Sequence, residues 1–334
     1  MYIEQNDTSK SYKKQYVDGF LKVIENRQLD AQNIREQYAK DIFKNPQKYR
    51  QDLKKMLGWP LVDFDGTKMP LPNSTKLSDE DGYSIHRMEF EVLPGLVMTG
   101  LLFKLDCDSK NPLVIVQHGG LGTPELISGI YEDTANYNNM LQRVLKYGVN
   151  IFAPQLILWD EKYEVPFDRK GIDAQLKSVG SSVTAIEVFG IMRILDYFET
   201  QNYVSTLGMV GLSYGGFYTL YTAAIDTRIK GALSCAFFNN RDKHNWTDWL
   251  WNNSAYMFND AEIASLVYPR KLTIEIADND ELFDVNEGIK SFEYLMQMSK
   301  PYGNDWVDLV VFPGVHEFCK DDEPIQKIIE YIKG

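Results

Sequence analysis

The chain has 334 residues, 44% of them hydrophobic and 25% charged, and a formal net charge of -12 at pH 7. That is long enough for one large domain or two smaller ones, and apolar enough for a packed core rather than a disordered chain. The acidic balance argues against nucleic acid and anionic membrane as partners, since both call for basic patches.

Met1-Tyr2-Ile3-Glu4-Gln5-Asn6-Asp7 is polar and acidic, without the basic and apolar regions of an export signal. The sequence holds no run of about 18 apolar residues of the kind that spans a bilayer. Three widely spaced cysteines, Cys107, Cys235 and Cys319, fit neither a disulfide framework nor a zinc site. The expectation is a reduced, cytoplasmic protein with no metal and no cofactor.

Apolar positions at Tyr16, Phe20, Val23 and Ile24 suggest amphipathic helices in residues 1–58, broken near Asn45-Pro46 and ending around Gly58-Trp59-Pro60. A polar, turn-rich link is expected to about Asp81. Strands follow at Met88–Leu93 and Val97–Leu105, turned by Pro94-Gly95. Leu113-Val114-Ile115-Val116 reads as a buried parallel strand running into Gln117-His118-Gly119-Gly120. A helix around Tyr137–Tyr147 and a strand at Val149–Ala153 come next. Asp173–Thr200 places Leu176, Val179, Val183, Ile186 and Phe189 on one helical face. The remaining strands are the run before Ser213, Gly231–Phe238, Leu272–Ala277 and Val307–Phe312. Helices are expected after Ser213, near Val285–Met298 and through Pro324–Ile332. Strands alternating with helices mean right-handed crossovers and a mostly parallel sheet.

Leu207–Leu212 ends in Gly211-Leu212-Ser213-Tyr214-Gly215-Gly216, the sequence form of a tight strand-to-helix turn that exposes a serine. A side chain at Gly211 or Gly215 would collide with neighbouring backbone. A serine hydroxyl needs a base to take its proton. Of His86, His118, His244 and His316, the last is best placed, in a loop just past the final strand. The imidazole in turn needs a buried carboxylate. Asp280, three residues past the end of its strand, is preferred, with Asp284 and then Asp278 as alternatives and Asp242 outside them. An oxyanion would be held by the N–H of Tyr214 and by that of Gly120, with Leu121 as the alternative. His118 fits the organisation of this loop better than the role of base. His118 precedes Ser213 by 95 positions, Asp280 follows it by 67 and His316 follows Asp280 by 36.

With these residues, and with Gly208-x-x-Gly211-x-Ser213-Tyr214-Gly215-Gly216 and Asp226-Thr227-Arg228-Ile229-Lys230, the chain resembles the α/β-hydrolase superfamily. The resemblance is nearest to the dienelactone-hydrolase, acetyl-xylan-esterase and prolyl-oligopeptidase-like branches. Leu57-Gly58-Trp59-Pro60-Leu61 resembles the esterase-like members with a helical preface. Ala277 departs from the glycine often found before the acid loop. The resemblance implies an α/β-hydrolase fold: a mostly parallel sheet with helices on both faces, a helical N-terminal extension over residues 1–80, and a catalytic domain over 81–334. It implies a serine esterase acting on small-molecule carboxylic esters. A peptidase or amidase and an inactive hydrolase-fold binding protein are the rival readings.

Residues 239–269 are an aromatic insert that could form a cap, with Trp246, Trp249 and Trp251 as pocket candidates beside Trp159 in the second long loop, 159–173. The same tryptophans would equally suit the core of a small subdomain. The N-terminal helices could cover the site, pack as a solvated amphipathic face, or make a homodimer contact.

Overall fold

A computed structural model describes residues 2–59, 69–158, 168–244 and 246–334. Nine strands form one sheet in the order β1-β2-β3-β5-β4-β6-β7-β8-β9. The antiparallel front comprises β1 (Asn73–Glu80), β2 (Tyr83–Leu93) and β3 (Leu96–Leu105). β3 joins β5 (Asn150–Pro154) antiparallel. From there β4 (Asn111–Gln117), β6 (Val204–Leu212), β7 (Ile229–Cys235), β8 (Lys271–Ala277) and β9 (Val307–Phe312) run parallel. The central parallel strands are mostly apolar and buried on both faces, as βαβ crossovers demand, while the edge strand β9 leaves Val311 44% exposed.

Between the strands lie α3 (Pro124–Ser128), α4 (Met140–Leu145), α5 (Arg169–Ser178), α6 (Val183–Glu199), α7 (Tyr214–Ile225), α8 (Ser254–Met257), α9 (Asp260–Ser265) and α10 (Val285–Ser299), and α11 (Glu323–Lys333) follows β9. They follow α1 (Ser9–Ile42) and α2 (Pro46–Leu57), the two helices that open the chain. One core layer packs α2, α6, α7, α9 and α10 against the sheet. The other packs α3, α4 and α11 on the opposite face, with Ile325, Ile328, Ile329 and Ile332 of α11 turned inward.

Strand register sets up the site. Leu272 pairs with Val307 and Ala277 with Phe312, so β8 and β9 end level and release their loops side by side. Gln117 pairs with Gly211, which brings the turn after β4 beside the turn after β6.

Gly58 ends α2 in the left-handed conformation (φ 98°), and a Cβ there would stand 2.5 Å from Ser181 Cα. Arg50 ties α2 to the body by donating to the carbonyls of Ala224 (3.0 Å) and Leu266 (2.7 Å). In α1, Arg35 pairs with Asp242 (3.2 Å) and Glu262 (3.4 Å), fixing the second half of that helix on the insert.

Several sequence expectations need correction. The polar link to Asp81 contains β1, an edge strand that is exposed along nearly all its length and so carries no apolar alternation. Asp173–Thr200 is two helices, α5 and α6, separated at Gly180 (φ 85°). Val179, expected on the buried face, is 75% exposed. The Tyr137–Tyr147 helix shrinks to a single 3-10 turn at Ala135–Tyr137 followed by α4. Among the described residues no single helix is long and apolar enough to cross a membrane.

Candidate active site

The turn after β6 holds Ser213 at φ 58°, ψ -120°, a region that costs a non-glycine residue about 1–3 kcal/mol. Neighbouring backbone enforces it. Ser213 N–H donates to Cys235 O at 2.8 Å, and Ser213 O accepts from Phe217 N at 2.9 Å as α7 begins. A Cβ on Gly211 would lie 2.3 Å from Gly215 O, and one on Gly215 would lie 2.1 Å from Gln117 O. Both glycines are therefore steric necessities of this turn, as the sequence suggested.

Beyond β8, Asp280 Oδ1 accepts from the backbone N–H groups of Leu282 (2.8 Å) and Phe283 (3.1 Å). These bonds lock the carboxylate and aim Oδ2 at His316 Nδ1, 2.9 Å away. The Asp280 side chain is 1% exposed and that of His316 12%. A carboxylate facing Nδ1 sets the proton on that nitrogen and leaves Nε2 as the basic one. The alternative acids are engaged elsewhere. Asp278 accepts from Gly314 N at 3.0 Å, and Asp284 caps α10 by accepting from Asn286 and Glu287 N–H (2.8 and 3.0 Å). Asp242 faces Arg35.

The turn after β4 lies against the serine: a Cβ on Gly119 would be 3.1 Å from Ser213 Cβ. His118 is fully buried, accepts from Leu156 N at Nε2 (3.1 Å), and so donates from Nδ1 to Gly119 O (3.0 Å). Burial pushes its imidazole down to about 4, so it stays neutral and organises the loop. Gly119 N–H donates to Tyr137 Oη at 2.8 Å, which leaves Gly120 and the 60%-exposed Leu121 as the next amides of the turn.

Two chains of contacts connect these pieces. From Ser213 N the path runs through Cys235 O, and Cys235 Sγ lies 3.6 Å from Glu317 O, next to His316. From Gly119 it runs through Tyr137 to Asn136, whose Nδ2 donates to His316 O at 3.0 Å. Tyr137 and Asn136 were not singled out from sequence, because their partners are distant along the chain.

Aromatic side chains wall the site. Trp246 stacks over Tyr214 (5.8 Å, 14°), and Phe283 lies between Trp246 (6.0 Å) and His316 (5.7 Å). His244 joins this wall, 5.0 Å from Phe283. Trp249 and Trp251, expected as pocket candidates, are 1% and 6% exposed and pack on Phe217 of α7, so they are core. Trp159 lies outside the described residues.

Arg169, at the start of α5, is the centre of a buried network. Its guanidinium donates to Asp248 (2.9 Å), Glu187 (3.0 Å) and Tyr218 Oη (2.8 Å), and Tyr214 Oη donates to the same Asp248 oxygen at 2.7 Å. The carboxylates hold the guanidinium well above its ordinary pKa despite burial, and burial raises the Tyr214 phenol. The residue after Ser213 is thereby tied to the insert. Among the described residues no group of three or more His, Cys, Asp or Glu side chains is placed to hold a metal ion.

No protein-family model matches the chain. YtaP of Bacillus subtilis (strain 168), whose name provisionally calls it a hydrolase, is 27% identical over 199 residues. That match spans 54% of this chain and 64% of YtaP, just under two thirds of its length. Among solved structures, a provisionally named acetyl xylan esterase from Bacteroides fragilis NCTC 9343 is similar with a TM-score of 0.68 at 17% identity, covering 87% of this chain and 83% of its own. A glucuronoyl esterase from Solibacter usitatus has a TM-score of 0.62 at 13% identity, over 85% and 92% of the two chains. Methylesterase BT1017 has a TM-score of 0.63 at 19% identity, over 88% and 63%.

The chain has the α/β-hydrolase fold. An α/β-hydrolase sheet gathers the loops at the carboxyl ends of its parallel strands, which is where the Ser213, Asp280 and His316 loops emerge.

Proposed function

We propose that this chain hydrolyses carboxylic esters of small molecules through an acyl-enzyme. The observation that carries the reading is the 2.9 Å pair of Asp280 and His316 at the same sheet edge as the strained Ser213 turn. The three solved structures named above are each called an esterase, which supports the same chemistry.

In this mechanism Ser213 Oγ attacks the ester carbonyl carbon as His316 Nε2 takes its proton. Asp280 holds the imidazole in the required tautomer and stabilises its protonated form. The amides of Tyr214 and Gly120, with Leu121 as the alternative, donate to the developing oxyanion, each worth about 3 kcal/mol. His316 then protonates the leaving alcohol as its C–O bond breaks. Water, deprotonated by His316, releases the acid and restores Ser213. No step needs a cofactor or metal.

The test is a panel of acetyl, methyl and longer-chain esters run beside short-peptide amides. Ester turnover exceeding amide turnover by orders of magnitude is expected. Faster amide turnover would favour a peptidase, and no turnover of either would favour an inactive binding protein.

A further inference from the structure

The Arg169 side chain is fully buried, out of reach of any substrate, yet hydrogen-bonded paths run from its guanidinium to both amides assigned to the oxyanion. The first path is short. Nε donates to Asp248 Oδ2, which also accepts from Tyr214 Oη, and the guanidinium carbon lies 5.2 Å from the centre of the Tyr214 ring. Trp246 stacks on that ring as well, so the side chain next to Ser213 is held by Asp248, Arg169 and Trp246. The second path starts at Nη1, which donates to Ile157 O at 2.5 Å. Ile157 N–H donates to Glu187 Oε1 at 2.7 Å, and Glu187 Oε2 accepts from the same Nη1, so both backbone groups of Ile157 are clamped. One residue earlier, Leu156 N–H donates to His118 Nε2, and His118 Nδ1 donates to Gly119 O. That carbonyl and the Gly120 N–H belong to one planar peptide group, so holding the oxygen sets the direction of the N–H. Burial, and to a smaller degree the Arg169 charge, hold the His118 imidazole neutral, the form that can accept at Nε2.

A buried ion cluster of this kind is often no more stabilising than an apolar core of the same volume. What a guanidinium fork supplies is direction, because each N–H fixes an angle as well as a distance. Direction is what an oxyanion hole demands, since its donors act only when aimed at the position the charge will occupy. We propose that Arg169 is a positioning residue that sets the Tyr214 and Gly120 amides relative to each other, coupling the turn after β6 to the turn after β4. The proposal rests on the ester-hydrolase reading above.

The test compares wild type with Arg169→Lys, which keeps the charge and loses the fork, and with Tyr214→Phe, which cuts only the first path and keeps the core filled. Rates are counted per competent site, titrated with a fluorophosphonate, so that unfolded protein does not enter. For a short p-nitrophenyl ester, kcat is expected to fall about 100-fold in Arg169→Lys and about 10-fold in Tyr214→Phe, with KM within about threefold of wild type. Phenylboronic acid, which forms a tetrahedral adduct on Ser213 Oγ, should bind more weakly by the same factors, because a transition-state mimic uses the same amides. Tyr214→Phe placed in the Arg169→Lys background should cost less than about twofold more, since both changes act on one path. A kcat per site within about threefold of wild type in both variants, boronate affinity unchanged while kcat falls, or fully additive losses would each overturn the proposal. A wild type that turns over no ester would overturn the hydrolase reading and the proposal with it.

Discussion

Replacing Asp280 by Asn tests how the acid acts. The introduced asparagine keeps a carbonyl oxygen for the Leu282 and Phe283 N–H groups, which now hold Asp280 Oδ1 at 2.8 and 3.1 Å. Its amide nitrogen then faces His316 Nδ1, where a carboxylate oxygen now lies 2.9 Å away. An N–H donor there forces Nδ1 to accept and moves the imidazole proton to Nε2, so the ring can no longer take the proton of Ser213. Loss of the correct tautomer and of charge stabilisation predicts a fall in kcat of about 10⁴-fold, about 5.5 kcal/mol of barrier. KM for a short p-nitrophenyl ester and the thermal unfolding midpoint should change little, because packing and loop bonds persist. Asp278→Asn and Asp284→Asn disturb only a loop contact and a helix cap, each worth about 1 kcal/mol of stability, and should leave kcat near wild type. Asp280→Asn retaining more than a tenth of wild-type kcat, or Asp284→Asn losing as much as Asp280→Asn, would refute the reasoning.

Other consequences concern stability and the shape of the site. His118 is buried neutral with its imidazole pushed down to about 4, so its contribution is full above its unfolded value near 6.5 and is lost as pH falls toward 4. About 3 kcal/mol should disappear across that window in urea unfolding of wild type but not of His118→Gln, and parallel pH profiles would contradict this. Gly215→Ala should cost about 3 kcal/mol or more, because its Cβ would stand 2.1 Å from Gln117 O; a well-folded, fully active variant would show that the turn is looser than described. Asp248→Ala leaves the Arg169 guanidinium with Glu187 as its carboxylate and removes the Tyr214–Asp248 hydrogen bond, predicting a loss of about 3–5 kcal/mol in chemical denaturation. A change below 1 kcal/mol would mean that the network is not structural.

The legible parts of this molecule are those where one local constraint leaves few options. Gly211 and Gly215 announce the turn at Ser213 because no side chain fits there, and continuous apolar runs such as Leu113–Val116 announce buried parallel strands. Asp280 and His316 were reachable from chain order, since each follows the end of a strand that pairs in level register. β1 was hidden because an exposed edge strand has no apolar period to read. The break between α5 and α6 was hidden by Val179, which continues the apolar spacing into a turn set by Gly180. Trp249 and Trp251 are ambiguous in sequence, since the same aromatic surface suits a pocket or a core, and here α7 claims both. The Arg169 network was invisible because its partners, Glu187, Tyr218 and Asp248, are brought together only by the fold.

The proposed mechanism makes Ser213 the nucleophile of an acyl-transfer site. Its most direct test is labelling by a fluorophosphonate followed by peptide mapping, with Ser213→Ala assayed on short p-nitrophenyl esters in parallel. One modified residue is expected, Ser213, labelled more slowly in the Asp280→Asn variant, with hydrolysis reduced to background in Ser213→Ala. Unlabelled Ser213 in folded protein, or full ester hydrolysis by Ser213→Ala, would contradict it.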